Sequence, residues 1–369
     1  MKVLVVKLSS LGDVVHTFPA VTDAMRAVPG LTLDWAVEEA FVPLVQSHPA
    51  VRRAIAVPLR RLRKAPGEAL RSGAAAAIRT ALRAETYDVV IDAQGLMKSA
   101  AVALFARGRR HGFARGSARE GLATFAYHTS HAVPETEHMA VRLRKLFAAS
   151  LGYSLQGLAA DAGLAADAGL AIPADAEGQA SEPPYIVLLH GTTWRTKTWP
   201  VKHWRDLALM AAERGYETRI FAQGPEETAR ATAIAAQIPT VRIVPPGPIT
   251  ALAPVIARAQ AVVSVDSGLG HLAAALAVPT VGLYGPTNPR LTGLFGPKAL
   301  ELKSLRPCAP CERAHCRIAP DLVEGPPCLT DFSARDVWRA LNVLRFGHAD
   351  AMDKTGSTVA HGSASPPSP

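Results

Sequence analysis

Val3 to Val6 is an apolar, β-branched run closed by Lys2 and Lys7, and it reads as a buried strand. Directly behind it comes Ser9-Ser10-Leu11-Gly12-Asp13, a tight bend of small residues that ends on a carboxylate. Val14, Phe18, Val21 and Met25 then recur at helical spacing. Strand, glycine bend and helix together open a nucleotide-type α/β unit, and such units bind ligands at the carboxyl ends of their strands. The bend lacks a G-x-G-x-x-G and so is not a dinucleotide fingerprint, which disfavours a nicotinamide oxidoreductase. Two roles are open to Asp13. It can cap the helix that follows, or it can present a carboxylate to a substrate that Gly12 allows to approach closely.

The same grammar repeats along the chain. Leu33, Trp35 and Val37 alternate with polar or small residues, and Ala54 to Val57 and Asp88 to Asp92 are further strand-like runs. An Ala-rich segment from Glu68 to Ala84 favours helix. Ala93-Gln94-Gly95 is a second glycine bend, leading into a helix with Lys98 near its start. A second series begins at Tyr185, with strands over Tyr185–Leu189, Thr218–Ala222, Val241–Val244, Ala261–Val265 and Thr280–Tyr284. Trp204, Leu207, Ala208 and Ala211 mark one helix face within it. Strands alternating with helices predict an α/β protein with parallel sheets covered on both faces. From Gly157 to Ala171 the sequence Gly-Leu-Ala-Ala-Asp-Ala repeats, too briefly for a solenoid, and it reads as a boundary or mobile loop. The expected division is an N-terminal unit over 1–175, a second over 183–331, a C-terminal helix over 332–346 with Ser333 as N-cap, and a disordered tail over 347–369.

A chain of 369 residues is long enough for two cores, and 49% apolar against 19% charged residues fits a globular protein. No apolar run reaches the length of a membrane span, and the start is too short for a secretory signal, so a cytoplasmic protein is expected. The net charge of +9 asks for an anionic partner. Its distribution is uneven. Between Arg52 and Arg119 stand fifteen Lys and Arg against four Asp and Glu, and the rest of the chain is slightly acidic. Helix-turn-helix, RRM and zinc-finger patterns are missing, and the arginines have no interleaved aromatics, so no nucleic-acid partner is expected.

In the second unit, Asp266-Ser267-Gly268-Leu269-Gly270-His271 follows an apolar strand and opens the Ala-rich stretch from Leu272 to Leu276. Helix-start N–H groups freed of side chains by two glycines can hold a diphosphate; the glycines can also serve close packing alone. Thr192, Thr193 and Lys197 follow another strand end, where hydroxyls and an ammonium group would neutralise phosphate, unless the lysine is merely solvated. No Asp-x-Asp pair occurs, so a magnesium-held sugar nucleotide of that type has no support and protein cations would have to serve. All four cysteines cluster as Cys308-x2-Cys311-x4-Cys316 followed by Cys328. They are either free structural thiols or a zinc site whose second half departs from the usual knuckle spacing.

The segments Val5 to Ala20, Arg60-Arg61-Leu62-Arg63-Lys64, Asp92 to Ala100, Lys197-Thr198-Trp199-Pro200 with Trp204, and Val263 to Leu269 with His271 resemble, in the same order, the bacterial lipopolysaccharide heptosyltransferases. The likeness covers roughly residues 1 to 300 and is strongest to the heptosyltransferase I branch, although the cysteine cluster resembles other members more. It implies a GT-B fold, two Rossmann-like domains facing across a cleft. It implies inverting, metal-independent transfer of heptose from ADP-heptose to the first Kdo of Kdo-lipid A, with no cofactor, on the cytoplasmic face of the inner membrane. Heptosyltransferase II or another GT-B transferase is the neighbouring alternative. By the match Asp13 is the general base. Thr192, Thr193, Lys197, Glu227, Asp266, Ser267, Gly268 and His271 would bind the donor. Ser10, Gly12, Arg60, Arg61, Arg63, Lys64, Gln94, Lys98 and Arg119 would bind the acceptor, where arginine forks suit carboxylates and phosphates.

Overall fold

The structure is a computed structural model that describes residues 1–64, 73–164, 182–321 and 325–346. Twelve strands in the described residues form two six-stranded parallel sheets. The first holds β1 (Lys2–Val6), β2 (Thr32–Val37), β3 (Val51–Ala56), β4 (Thr86–Asp92), β5 (Arg107–Phe113) and β6 (Thr129–His131), in the order β3-β2-β1-β4-β5-β6. The second holds β7 (Tyr185–Leu189), β8 (Glu217–Phe221), β9 (Val241–Val244), β10 (Ala261–Val265), β11 (Thr280–Tyr284) and β12 (Ala299–Lys303), in the order β12-β11-β10-β7-β8-β9. In each sheet the strand order reverses beside the first strand, the place where open α/β sheets make a ligand crevice.

Two elements depart from the pattern read in the sequence. The single helix expected behind Gly12 is two, Leu11–Val15 and Phe18–Ala27. The break has a local cause: Thr17 Oγ1 donates to the Asp13 carbonyl at 2.9 Å, and Pro19 lies in the first turn of the second helix, where its missing N–H costs nothing. β2 is buried on both faces instead of alternating, because Asp34, pointing to the side opposite Trp35, is itself fully buried. Three strands went unread. β5 and β6 lie in the Arg- and His-rich stretch, where polarity hides the period, and β12 lies at the sheet edge beyond β11. The helix Ala334–Phe346 packs Val337, Trp338 and Leu341 into the second lobe's core, and Ser333 Oγ accepts from the Asp336 N–H at 3.2 Å. The boundary near 175–183 and the tail over 347–369 lie wholly or mostly outside the described residues.

One apolar cluster passes between the lobes. It joins Val3, Val5, Phe18 and Trp35 to Ile249, Leu252, Ile256 and Leu272, so the floor of the interlobe cleft is continuous core. Part of the basic excess is structural. Arg52 and Arg53 both fork onto the Asp34 carboxylate at 2.7–3.2 Å, and the Tyr87 hydroxyl donates to it at 2.8 Å. Asp34→Ala removes the acceptor the two guanidinium groups share, leaving Arg52 with Glu85 and Arg53 with the Tyr87 hydroxyl. We expect it to destabilise the protein by about 2 kcal/mol, below the full cost of a buried pair because both arginines reach solvent. Chemical denaturation of the variant measures this.

Candidate functional site

A cleft of about 730 Å³ opens between the two sets of strand ends. From the first lobe it is lined by Ser10, Gly12, Asp13, His16, Arg60 and Arg119, and from the second by Thr192, Thr193, Lys197, Glu227, Asp266, Ser267, Gly268 and His271. All eight residues proposed for the donor therefore share one wall. Phe41, Trp194, Gln223 and Thr292 also line it and carried no sequence signal.

Asp13 sits in the first turn of the Leu11–Val15 helix, with Ser10 as N-cap. It bonds to the start of its helix, and its carboxylate also lines the cleft. Its Oδ2 accepts from the Ser10 N–H at 3.0 Å and the Ser10 hydroxyl at 3.1 Å, which closes a capping box. Its Oδ1 faces Lys7 Nζ at 3.4 Å and Arg119 at 3.6 Å. Burial pushes the Asp13 pKa up, but the Lys7 and Arg119 charges and the Ser10 N–H outweigh it and hold the carboxyl well below its usual range. Lys7 is buried and also donates to the Ala93 carbonyl at 3.1 Å; burial lowers its own pKa. In the sequence Lys7 only marked the end of a strand. A lysine at a strand's carboxyl end, next to a bend that carries a carboxylate, was the available signal.

Asp266 mirrors this arrangement on the opposite wall. Its Oδ2 accepts from Lys197 Nζ at 2.7 Å and from Thr287 Oγ1 at 2.8 Å, and its Oδ1 lies 3.5 Å from His271 Nε2. Burial again raises its pKa, and His271 and Lys197 together more than reverse that. Ser267 Oγ accepts from the Gly270 N–H at 3.3 Å and caps the Gly268–Ala275 helix. Glu227 lies in the first turn of the Pro225–Ala235 helix, where it accepts from the Gln223 N–H at 2.8 Å.

The glycines of the two helix starts face each other. A Cβ on Gly12 would stand 2.7 Å from the His271 ring, and a Cβ on Gly268 would stand 2.8 Å from the Leu11 Cβ. Both glycines thus admit the other lobe's helix as well as lining the cleft. Beside this contact the Gly293 carbonyl accepts from His16 Nε2 and from His138 Nε2, each at 3.1 Å, so two first-lobe imidazoles grip one second-lobe backbone group. His16 also meets the His271 ring edge-on, 4.5 Å between centroids. Burial lowers the His16 pKa well below normal, helped by His271 and His138, and burial lowers that of His138 too.

The remaining expected residues divide. Lys98 is outside the cleft lining; its Nζ donates to Ser9 Oγ at 3.1 Å, next to Ser10, which does line it. Gln94 is buried behind the bend and holds it from within, accepting from the Leu8 N–H at 2.8 Å and donating to the Ser9 carbonyl at 2.9 Å. Both ends of that side chain are engaged, so it positions the bend from behind. Arg61 faces solvent beside Glu39, outside the cleft lining. Arg63 and Lys64 end the Leu59–Lys64 helix, and their side chains lie outside the described residues. The four cysteines are free thiols around an apolar pocket of about 240 Å³. Among the described residues no three His, Cys, Asp or Glu side chains stand in an arrangement that would hold a metal ion, so the geometry lends the zinc reading no support. Cys328 is buried against Gly285, which with the neighbouring thiols pushes its pKa up to about 11, while Cys308 is exposed.

Two Rossmann-like lobes whose strand ends share one cleft are the arrangement found in GT-B glycosyltransferases. Residues 75–321 match the family described as glycosyltransferase family 9 (heptosyltransferase). The chain is 46% identical to lipopolysaccharide heptosyltransferase 1 of Pseudomonas aeruginosa, over 93% of its own length and 98% of that relative. It is 26% identical to lipopolysaccharide heptosyltransferase 2 of Escherichia coli, over 81% of this chain and 87% of that one. The structure of E. coli heptosyltransferase WaaC with ADP superposes with a TM-score of 0.81 at 39% identity, covering 93% of this chain and all of that one. The chain belongs to the heptosyltransferase family of glycosyltransferases.

Two outcomes test this geometry. Gly12→Ala forces the lobes apart or displaces His271. We expect a loss of about 1–3 kcal/mol in stability, the range for overpacking, with a fall in turnover. Thermal melts and steady-state kinetics of the variant measure both. The second concerns pH. His48 and His190, like His16 and His138, are lowered by burial, these two to about 4. Below about pH 6.5 the unfolded chain binds protons that the folded imidazoles refuse, so stability is full above that pH and is lost toward pH 4. Melting temperatures across this window should fall steadily, and His138→Phe should flatten the slope.

Proposed function

We propose that this enzyme transfers L-glycero-D-manno-heptose from ADP-heptose to the first Kdo sugar of Kdo-lipid A, with inversion and without a metal ion. The observation that carries the reading is the opposition of two walls. Asp13, the one carboxylate of the first-lobe wall among the described residues, stands on one, and a lysine, hydroxyls and a capped helix start suited to a diphosphate stand on the other. The stronger likeness to heptosyltransferase 1 than to heptosyltransferase 2 favours Kdo over an already heptosylated acceptor.

In this mechanism the Kdo hydroxyl oxygen attacks the anomeric carbon. The bond from that carbon to the phosphate oxygen breaks, and ADP leaves with the electron pair. Asp13 takes the hydroxyl proton. Its depressed pKa makes it a weak base in the free enzyme, yet the hydroxyl becomes a strong acid as its bond to carbon forms. A Kdo carboxylate that draws Arg119 away also restores basicity to Asp13. Arg60 and Arg119, both on the cleft, are the acceptor's cationic partners. On the other wall Lys197 and the helix start at Gly268 meet the growing charge on ADP. Lys197 then trades part of its contact with Asp266 for phosphate, which frees Asp266 to accept from heptose hydroxyls. Thr192, Thr193 and Glu227 complete the donor set.

Incubation with ADP-heptose and Kdo-lipid A should add one heptose to the lipid, read by mass spectrometry. Asp13→Asn should bind both substrates and lose turnover by about a thousandfold, in the range of a removed base. Full activity of that variant, or product formed only from heptosylated core, would overturn the reading.

A further inference from the structure

Trp194 gave no signal in the sequence, yet it lines the donor wall beside Lys197. The Lys197 ammonium stands over the indole ring, 4.5 Å from its centroid, well inside the reach of a cation–π contact. The same ammonium donates to Asp266 Oδ2 at 2.7 Å. Lys197 therefore has a carboxylate on one side and an aromatic face on another, and its side chain is only 15% exposed.

The local sequence makes this pairing. The Lys197 N–H donates to the Trp194 carbonyl at 2.9 Å and closes the 3-10 turn Arg195–Lys197, a geometry that sets residues three apart side by side. Two further bonds hold the turn. Buried Thr196 donates through Oγ1 to the Arg313 carbonyl at 2.7 Å, and Thr198 Oγ1 donates to the Arg195 carbonyl at 2.6 Å. The indole is thus carried on a fixed turn, while the lysine reaches its partners on a flexible four-carbon stem.

That difference in stiffness matters once Asp266 has to share the ammonium with an arriving phosphate. An aromatic face does two things that a second carboxylate could not. It attracts the cation without neutralising it, so the whole positive charge stays available to a diphosphate. It also fixes no hydrogen-bond direction, so the three N–H groups can turn from Asp266 toward phosphate while the ring contact persists. The other cation–π pair in the cleft lining among the described residues, Arg60 over Phe41, is looser at 5.9 Å and involves an exposed arginine.

We infer that Trp194 is a positioning residue for the donor: its ring keeps the Lys197 ammonium where the leaving diphosphate needs it. The inference rests on the reading of Lys197 as a diphosphate ligand. The indole acts through the lysine and makes no contact of its own with the nucleotide.

The test is a double-mutant cycle on the full chain, with ADP as the probe and calorimetry as the readout. Trp194→Leu should weaken ADP binding about tenfold, and Trp194→Phe, which keeps an aromatic face, should recover most of that loss. Lys197→Met should weaken ADP binding too. In Trp194→Leu/Lys197→Met the tryptophan substitution should add nothing to the lysine loss. In steady-state kinetics Trp194→Leu should raise the ADP-heptose KM and leave the acceptor KM unchanged. A further full loss in the double variant overturns the inference, because the ring would then touch ADP itself. Equal losses in Trp194→Phe and Trp194→Leu overturn it as well, since they would mark a packing defect. Unchanged ADP affinity in Trp194→Leu, with Lys197→Met weakened, removes the role of the ring and leaves the donor reading standing. Wild-type affinity in Lys197→Met removes the donor reading of that lysine, and the inference falls with it.

Discussion

The structure hangs on a contact with almost no side chain in it. Gly12 and Gly268 let the starts of two short helices from different lobes press together, each glycine receiving a residue of the opposite helix. Every feature of the cleft follows from that approach. It sets how far Asp13 stands from Lys197 and Asp266, and it buries His16 and His271 against each other. It also brings the Gly293 carbonyl within reach of two imidazoles. Glycine is required at both places for room, since neither residue has the positive φ that would demand it for conformation.

The two walls solve the same electrostatic problem in the same way. Each holds a largely buried aspartate that would be unfavourable alone, and each compensates it with a lysine and a second cationic or hydrogen-bonding group. A buried carboxylate kept ionised by partners can lend those partners to a ligand. An arriving anion competes for Arg119 on one side and for Lys197 on the other, so ligand binding and the basicity of each aspartate are linked. The paired arrangement also explains why the cleft tolerates so many charges near a continuous apolar floor.

Much of this was legible in the chain. The strands β1, β7, β10 and β11 are apolar runs bounded by turn residues, and the bends after the first three carry polar residues that line the cleft. Periodicity could not expose β5, because Arg107, Arg109, Arg110 and His111 are too polar to display a face; the strand exists because its neighbours β4 and β6 pair with it. Nor could spacing separate the arginines by role. Arg52 and Arg53 serve a buried aspartate and Arg61 meets Glu39 in solvent, while Arg60, one residue away, lines the cleft. Those fates depend on which acid the fold brings near, and that is a matter of distance in space. The grip of His16 and His138 on Gly293 was hidden for the same reason, since the three residues are far apart in sequence.

The strand orders carry a last consequence. Counted from its own first strand, each sheet runs 3-2-1-4-5-6. One wiring diagram has been used twice, and the copies are set mouth to mouth. A molecule lodged between them meets equivalent strand ends from either side, so the backbone plan alone cannot tell one substrate from the other. The difference between the walls falls to the residues beyond the strand ends: Ser10 to Asp13 after β1, with Arg60 and Arg119, in the first copy, and Gly191 to Lys197 after β7, Gln223 and Glu227 after β8 and Asp266 to His271 after β10 in the second. Any polarity the cleft has between its two walls is thus carried by loops and helix starts, on a scaffold that repeats itself.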